Sequence, residues 1–118
     1  MYDWIYETAL KNKGAERDYT AEWEAERCLV GGKMFVMVGG DKEDKPILTL
    51  KCDPDNAELL RKQYEDIIPG YYMNKRLWNS IYLEGSVPRE LMQKMIADSY
   101  GLVFSSLTKK MQAQISLY

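Results

Sequence analysis

The chain contains no histidine. Histidine is the commonest general base and metal ligand, and its imidazole ordinarily titrates near neutrality. Its absence excludes Ser-His-Asp and Cys-His catalytic sites and any zinc site that needs an imidazole. Cysteine is scarce as well. Cys28 and Cys52 are the only two, and both lie in apolar, strand-like runs. Small secreted domains held by disulfides usually show about four or more, so the pair reads as buried thiols of a cytoplasmic protein. No apolar run reaches the ~18 residues of a membrane-spanning helix. The first twenty residues lack the basic step and apolar core of a secretory signal. There is no low-complexity tract and no internal repeat.

What is present amounts to one ordinary domain over residues 1–118, with 46% hydrophobic and 29% charged residues. Such a length buries about two-thirds of the surface that the unfolded chain exposes, so neither disulfides nor a metal are needed to hold it. The net charge is −2 and the pI near 5.2, whereas nucleic-acid-binding domains are commonly basic. The charge is uneven. Residues 1–59 hold 8 Lys+Arg against 13 Asp+Glu, net −5; residues 60–118 hold 8 against 5, net +3. An anionic partner should meet the C-terminal half. An unevenly charged, solvated surface would give the same numbers.

Periodicity predicts a helix over residues 3–11, with Asp3 and Glu7 early and Lys11 late, the sense the helix dipole favours. Gly14 ends it. Residues 16–24 alternate around Tyr19, Ala21 and Trp23 and read as a strand. Arg27–Val30, Gly31-Gly32 and Lys33–Val38 form a hairpin, since two glycines supply the positive φ of a primed turn. That turn sets Val30 opposite Lys33, Leu29 opposite Met34 and Cys28 opposite Phe35. The run Met34–Val38 is apolar at every position, as in a central strand. Ile47–Cys52 is a further strand, and the three make an antiparallel meander. Asp53-Pro54 opens a helix as N-cap and first residue; Ala57, Leu60 and Tyr64 form its buried stripe, and Ile67–Gly70 breaks it. Trp78–Leu83 is a strand. Pro88 opens a last helical region that Gly101 bends or splits. Residues from about Met111 have less reason to be ordered. The fold class is α+β: an antiparallel sheet of about five strands with helices at both ends packed on it.

Three features look like chemistry and are better explained otherwise. Glu22, Glu24 and Glu26 would share one face of a strand, but such spacing suits a solvated edge that discourages strand addition. Asp41, Glu43 and Asp44 lack the calcium-loop pattern. Gly31-Gly32-Lys33 and Gly39-Gly40 lack phosphate-loop spacing. The segment Ile68–Ile81 is different, since it gathers cations, aromatics and amides without a single acid. Lys and Arg suit phosphate, while aromatic rings and Asn address bases. The structural alternative makes Tyr71, Met73 and Trp78 core, with Lys75 and Arg76 solvated at a strand entrance.

Pro69-Gly70-Tyr71-Tyr72-Met73-Asn74-Lys75-Arg76-Leu77-Trp78-Asn79-Ser80-Ile81 resembles the signature of the MmcQ/YjbR family of small bacterial proteins. Gly31–Phe35 resembles that family's central hairpin, Leu48–Pro54 its strand-to-helix junction, Gly85–Pro88 with Leu91 the start of its last helix, and Ser99-Tyr100 and Lys109-Lys110 its later turns. The match covers roughly residues 27–110. Asp18–Glu22 departs from the Pro-Phe-Gly-like step that the family often has after its first helix, leaving the pairing of the first strand open. Gly101 falls where the family usually continues a helix. The resemblance implies a CyaY-like, double-wing α+β fold, related in shape to frataxin, and a DNA-binding role. Frataxin-like iron binding does not carry over, because the first helix offers only Asp3 and Glu7 beside Lys11.

The expectation is therefore a monomeric, cytoplasmic, non-enzymatic DNA-binding domain with no cofactor and no metal. Lys75 and Arg76 would contact phosphate, supported by Lys33, Lys109 and Lys110, with Trp78 as the aromatic. Asn74 and Asn79 would reach bases, or would cap backbone groups instead. Arg76 could alternatively pair with a carboxylate and lock the connection after Gly70. The competing expectation is a protein-interaction module that binds no nucleic acid, motivated by nine Tyr and three Trp. An enzyme would need a perturbed carboxylate, Lys, Tyr or thiolate in a cleft, and the sequence pairs no such groups.

Overall fold

The computed structural model describes residues 2–71 and 73–117. The elements are α1 (Asp3–Leu10), β1 (Ala15–Thr20), β2 (Ala25–Val30), β3 (Lys33–Gly40), β4 (Pro46–Lys51), α2 (Pro54–Gln63), β5 (Ile67–Pro69), β6 (Trp78–Tyr82), α3 (Arg89–Ser106) and α4 (Lys109–Ser116). All strand pairs are antiparallel, in the order β1-β2-β3-β4-β6-β5. The fold is α+β with an open six-stranded sheet. The strand beyond the expected five is β5, where Ile67–Pro69 both ends the helical segment and pairs with β6 at the sheet edge.

Register explains the two faces. Cys28, Val36, Leu50 and Asn79 lie opposite one another on successive strands and point under the helices. With Ile5, Ala9, Leu48, Ile81 and Ile96 they belong to the buried core. Asp18, Arg27, Met37, Thr49 and Ser80 form the row on the other face. Helix α3 packs on β3 and β4, α1 on α3 and β1, and α2 on β5 and β6. Two ring contacts fasten α1 to its neighbours: the Arg17 guanidinium lies 3.7 Å from the centroid of Tyr6, and that of Arg89 lies 4.8 Å from Trp4.

Several local expectations change. Residues 16–24 are not one strand: β1 stops at Thr20, residues 21–24 turn, and Glu24 sits at φ 49°. The reversal lets Ala25 pair with Thr20, places Arg27 on Asp18 at 2.6 Å and Arg17 on Glu26 at 3.2 Å. Glu22, Glu24 and Glu26 therefore share no strand face. Gly31 and Gly32 take φ of 58° and 79°, as a primed turn demands, and Val30–Lys33 and Leu29–Met34 pair as expected. Cys28 faces Val36 rather than Phe35, because a bulge interrupts the ladder between Cys28 and Leu29. The bulge lets both Phe35 and Val36 be fully buried. It also turns the Phe35 ring edge-on to Tyr100, 5.3 Å between centroids. Burying a ring of that size contributes roughly 1.5–3 kcal/mol.

Asp53 caps α2, accepting from the Asn56 N–H at 3.3 Å, with Pro54 in the first turn. Helix α3 runs unbroken through Gly101, so the glycine does not split it. From Met111 to Ser116 the chain is helical and packed rather than loose, and Tyr118 lies outside the described residues. Thr108 caps α4 through the Met111 N–H at 3.1 Å, and Ile115 is buried. A Cβ on Gly14 would stand 2.8 Å from Ile115, and one on Gly31 would stand 2.8 Å from Leu107, so both glycines are where α4 and its lead-in close on the sheet. At Gly101 a Cβ would meet nothing within 4 Å and the residue is exposed. Gly101→Ala is expected to stabilise the protein by about 0.5–1 kcal/mol in urea denaturation; a loss of stability would contradict an unstrained helix there.

Candidate nucleic-acid interface

The connection from β5 to β6 is folded rather than slack. The Gly70 N–H donates to the Trp78 carbonyl at 2.7 Å. A Cβ on Gly70 would lie 2.6 Å from that of Trp78, so only glycine permits the approach. The Tyr71 N–H donates to Ser80 Oγ at 2.9 Å, and Ser80 Oγ lies 2.8 Å from Thr49 Oγ1 in a fully buried pair. Tyr71 Oη accepts from the Lys42 N–H at 3.0 Å. Asn74 Oδ1 accepts from the Arg76 N–H at 3.0 Å, and the Asn74 carbonyl accepts from Leu77 and Trp78. This is a tight turn that leaves Lys75 and Arg76 at its exposed tip.

Arg61 of α2 fastens this loop. Its guanidinium donates to Asn79 Oδ1 at 2.7 Å and to the Lys75 carbonyl at 3.5 Å, while Asn79 Nδ2 donates to the Ala57 carbonyl at 3.2 Å. Asn79 is fully buried with both ends of its amide engaged. It is thus withdrawn as a base contact: it caps backbone and side-chain groups inside the protein. Asn74 stays exposed, with its oxygen used in the turn. Lys75 Nζ reaches the Gly70 carbonyl at 3.4 Å. Arg76 has no ion pair among the described residues; the structural lock imagined for it belongs to Arg61.

Across the sheet face opposite the helices, a groove of about 380 Å³ opens between the β1–β2 turn and this loop. Trp23 and Trp78 line it, with Met34, Met73, Val103 and Ser106 as further wall; Lys33 and Lys51 supply its charge, and Arg27 lines it paired with Asp18. Register explains the neighbours, since Lys51 pairs directly with Trp78 across β4 and β6. Where the β3–β4 ladder stops, Ser99 Oγ donates to the Phe35 carbonyl at 2.7 Å and accepts from the Lys51 N–H at 2.9 Å. Arg27 is held by two hydrogen bonds to Asp18, which keep that carboxyl below the usual range. Lys33 and Lys51 have no ion pair among the described residues.

Of the sequence-predicted residues, the structure brings Lys33 and Trp78 into one groove and sets Lys75 and Arg76 on the loop that contributes Met73. Lys109 and Lys110 stand in the first turn of α4 and do not line the groove. The sequence reading missed Trp23, Lys51 and Arg27. Lys51 became visible only through the β4–β6 register, and Trp23 only once residues 21–24 proved to be a turn. Cys28 and Cys52 are free thiols, both pushed up to about 11 by burial.

These features define a small α+β protein whose antiparallel sheet carries helices on one face and a basic, tryptophan-lined groove across the other. The sequence matches the YjbR family over residues 10–102, and the chain belongs to that family. It is 33% identical over 96 residues to the uncharacterized protein YjbR of Escherichia coli K12, spanning 81% of this chain and 80% of that one. It is 36% identical over 86 residues to the uncharacterized protein YbdF of Escherichia coli O157:H7, spanning 73% and 70%. The crystal structure of a Deinococcus radiodurans protein with a DUF419 domain is similar at a TM-score of 0.87 and 27% identity, over 98% of this chain and 88% of that one. A structure from Pseudomonas syringae shares the fold, with a TM-score of 0.71 at 23% identity over 86% and 97%.

Removing Arg61 should strand the buried Asn79 oxygen. Arg61→Ala is expected to cost about 1–3 kcal/mol in urea denaturation, whereas Arg76→Ala should stay within about 0.5 kcal/mol. Equal losses from the two would contradict this division of roles.

Proposed function

We propose that the chain is a non-enzymatic, monomeric, cytoplasmic DNA-binding domain that contacts phosphate through a Lys/Arg/aromatic cluster. The supporting observation is the placement of Lys33, Lys51 and Trp78 in one groove beside a rigid loop whose exposed tip bears Lys75 and Arg76. Cations carried on a hydrogen-bonded loop suit a polyanion, because little loop ordering remains to oppose binding. Lys109 and Lys110 extend the positive charge at the first turn of α4. The non-enzymatic reading is supported by the state of the perturbed groups. Both thiols are buried and held protonated, which makes poor nucleophiles. The Tyr82 hydroxyl donates to Asp41. The monomeric reading is supported by the sheet edges. β1 presents Glu16, Arg17 and Asp18, and β5 is three residues long and ends in proline; both features discourage strand addition.

A protein-interaction module is the second reading, favoured by Tyr19 and Trp23, which are 57% and 43% exposed. Fluorescence anisotropy of a labelled DNA duplex, at low and then physiological salt, separates the two. Binding should weaken steeply with salt. Lys75→Ala and Arg76→Ala should each lower affinity and reduce the salt slope by about one. No binding by folded protein at low salt would overturn the DNA reading and leave a protein partner as the occupant.

A further inference from the structure

We infer that the groove between the β1–β2 turn and the β5–β6 loop takes an unpaired base of a single-stranded nucleic acid. This deepens the DNA-binding reading and rests on it. A duplex keeps its bases stacked and paired, so it offers a concave, aromatic groove nothing planar to admit. A single strand offers free base faces, which stack on aromatic side chains with little regard to sequence. The groove supplies Trp23 and Trp78 as aromatic surface and Met34 and Met73 as apolar wall. Its volume of about 380 Å³ lies in the range of small-ligand sites. Trp23 is not spent on the core: it is 43% exposed, on a four-residue turn held by Glu24 at positive φ.

Charge gives the strand a direction of approach. Lys33 and Lys51 lie on the groove side of Trp23 and have no ion pair among the described residues, whereas Arg27 is neutralised by Asp18. The other side of Trp23 borders a hollow lined by Glu22, Glu24, Asp41 and Asp44. A phosphodiester is repelled there and attracted at the lysines, so a base enters with its phosphate toward Lys33 and Lys51. An unpaired base on a phosphodiester occurs in both DNA and RNA, and the test carries an arm for each.

The experiment titrates the intact protein with labelled oligothymidylate of about 15 nucleotides, with oligouridylate of the same length and with a duplex, following anisotropy and tryptophan fluorescence. The single strand should bind more tightly than the duplex and quench tryptophan. Trp23→Ala should weaken single-strand binding about tenfold, and Trp23→Phe should restore most of it. Lys33→Ala should lower the single-strand salt slope by about 0.7. Binding of oligouridylate alone would uphold the base site and move it from DNA to RNA. Duplex bound as tightly as single strand, with Trp23→Ala without effect, would overturn the base site and leave the DNA reading standing. Failure of every oligonucleotide to bind would overturn both.

Discussion

The pairing of β4 with β6 joins strands that a helix and a short edge strand separate in sequence. Thr49 faces Ser80, Leu50 faces Asn79 and Lys51 faces Trp78, and the ladder continues as the Cys52 N–H donates to the Leu77 carbonyl at 2.7 Å. Each pair does separate work. The first buries two hydroxyls against each other and gives the β5–β6 loop an acceptor for Tyr71. The second brings Asn79 beneath α2, where Ala57 and Arg61 satisfy it. The third sets a cation beside an indole at the sheet end. Polar groups buried this way are costly when unpaired and specifying when paired, and no buried side-chain polar atom among the described residues lacks a partner.

Core and candidate site thus share strands, and on α3 they meet at Val103, which is buried in the core and also walls the groove. The row Cys28, Val36 and Leu50 points under α1 and α3 and supplies stability, while residues one step along the same strands reach the opposite face or the sheet end. A strand's period of two makes this division automatic once register is set. The bulge at Phe35 is the single departure among the described residues, and it falls where α3 docks through Ser99. Rigid elements on the core side therefore hold Lys51, Trp78 and the loop tip in fixed relation, the condition under which a few charged and aromatic groups can act together.

Local signals were legible wherever local chemistry decides structure. The Gly31-Gly32 turn, the Asp53-Pro54 helix start, α1 and the helical spacing after Pro88 all followed from neighbouring residues. The family was legible in the Pro69–Ile81 segment. What was not legible depended on distant partners. The strand assigned to residues 16–24 looked continuous because Tyr19, Ala21 and Trp23 alternate; only the pairing of Ala25 with Thr20 shows that Trp23 sits on a turn. No local signal orders the chain beyond Met111, yet Ile115 packs over Gly14, almost the whole chain away. Of the site, Lys33, Lys75, Arg76 and Trp78 could be picked out by type. Lys51 could not, because its place depends on a register that no local pattern encodes, and Asn79 was ambiguous until its burial was known.

The central claim is that the groove between Trp23 and Trp78 and its loop form the nucleic-acid surface. An N–H correlation spectrum of isotope-labelled protein, recorded while a single-stranded oligonucleotide is added, tests it most directly. The account predicts that the indole signals of Trp23 and Trp78 and the backbone signals of Lys33, Lys51 and Met73 move, while the indole of Trp4, under Arg89 on the far side, stays still. Shifts confined to α1 and Trp4, with the groove signals unmoved, would contradict it.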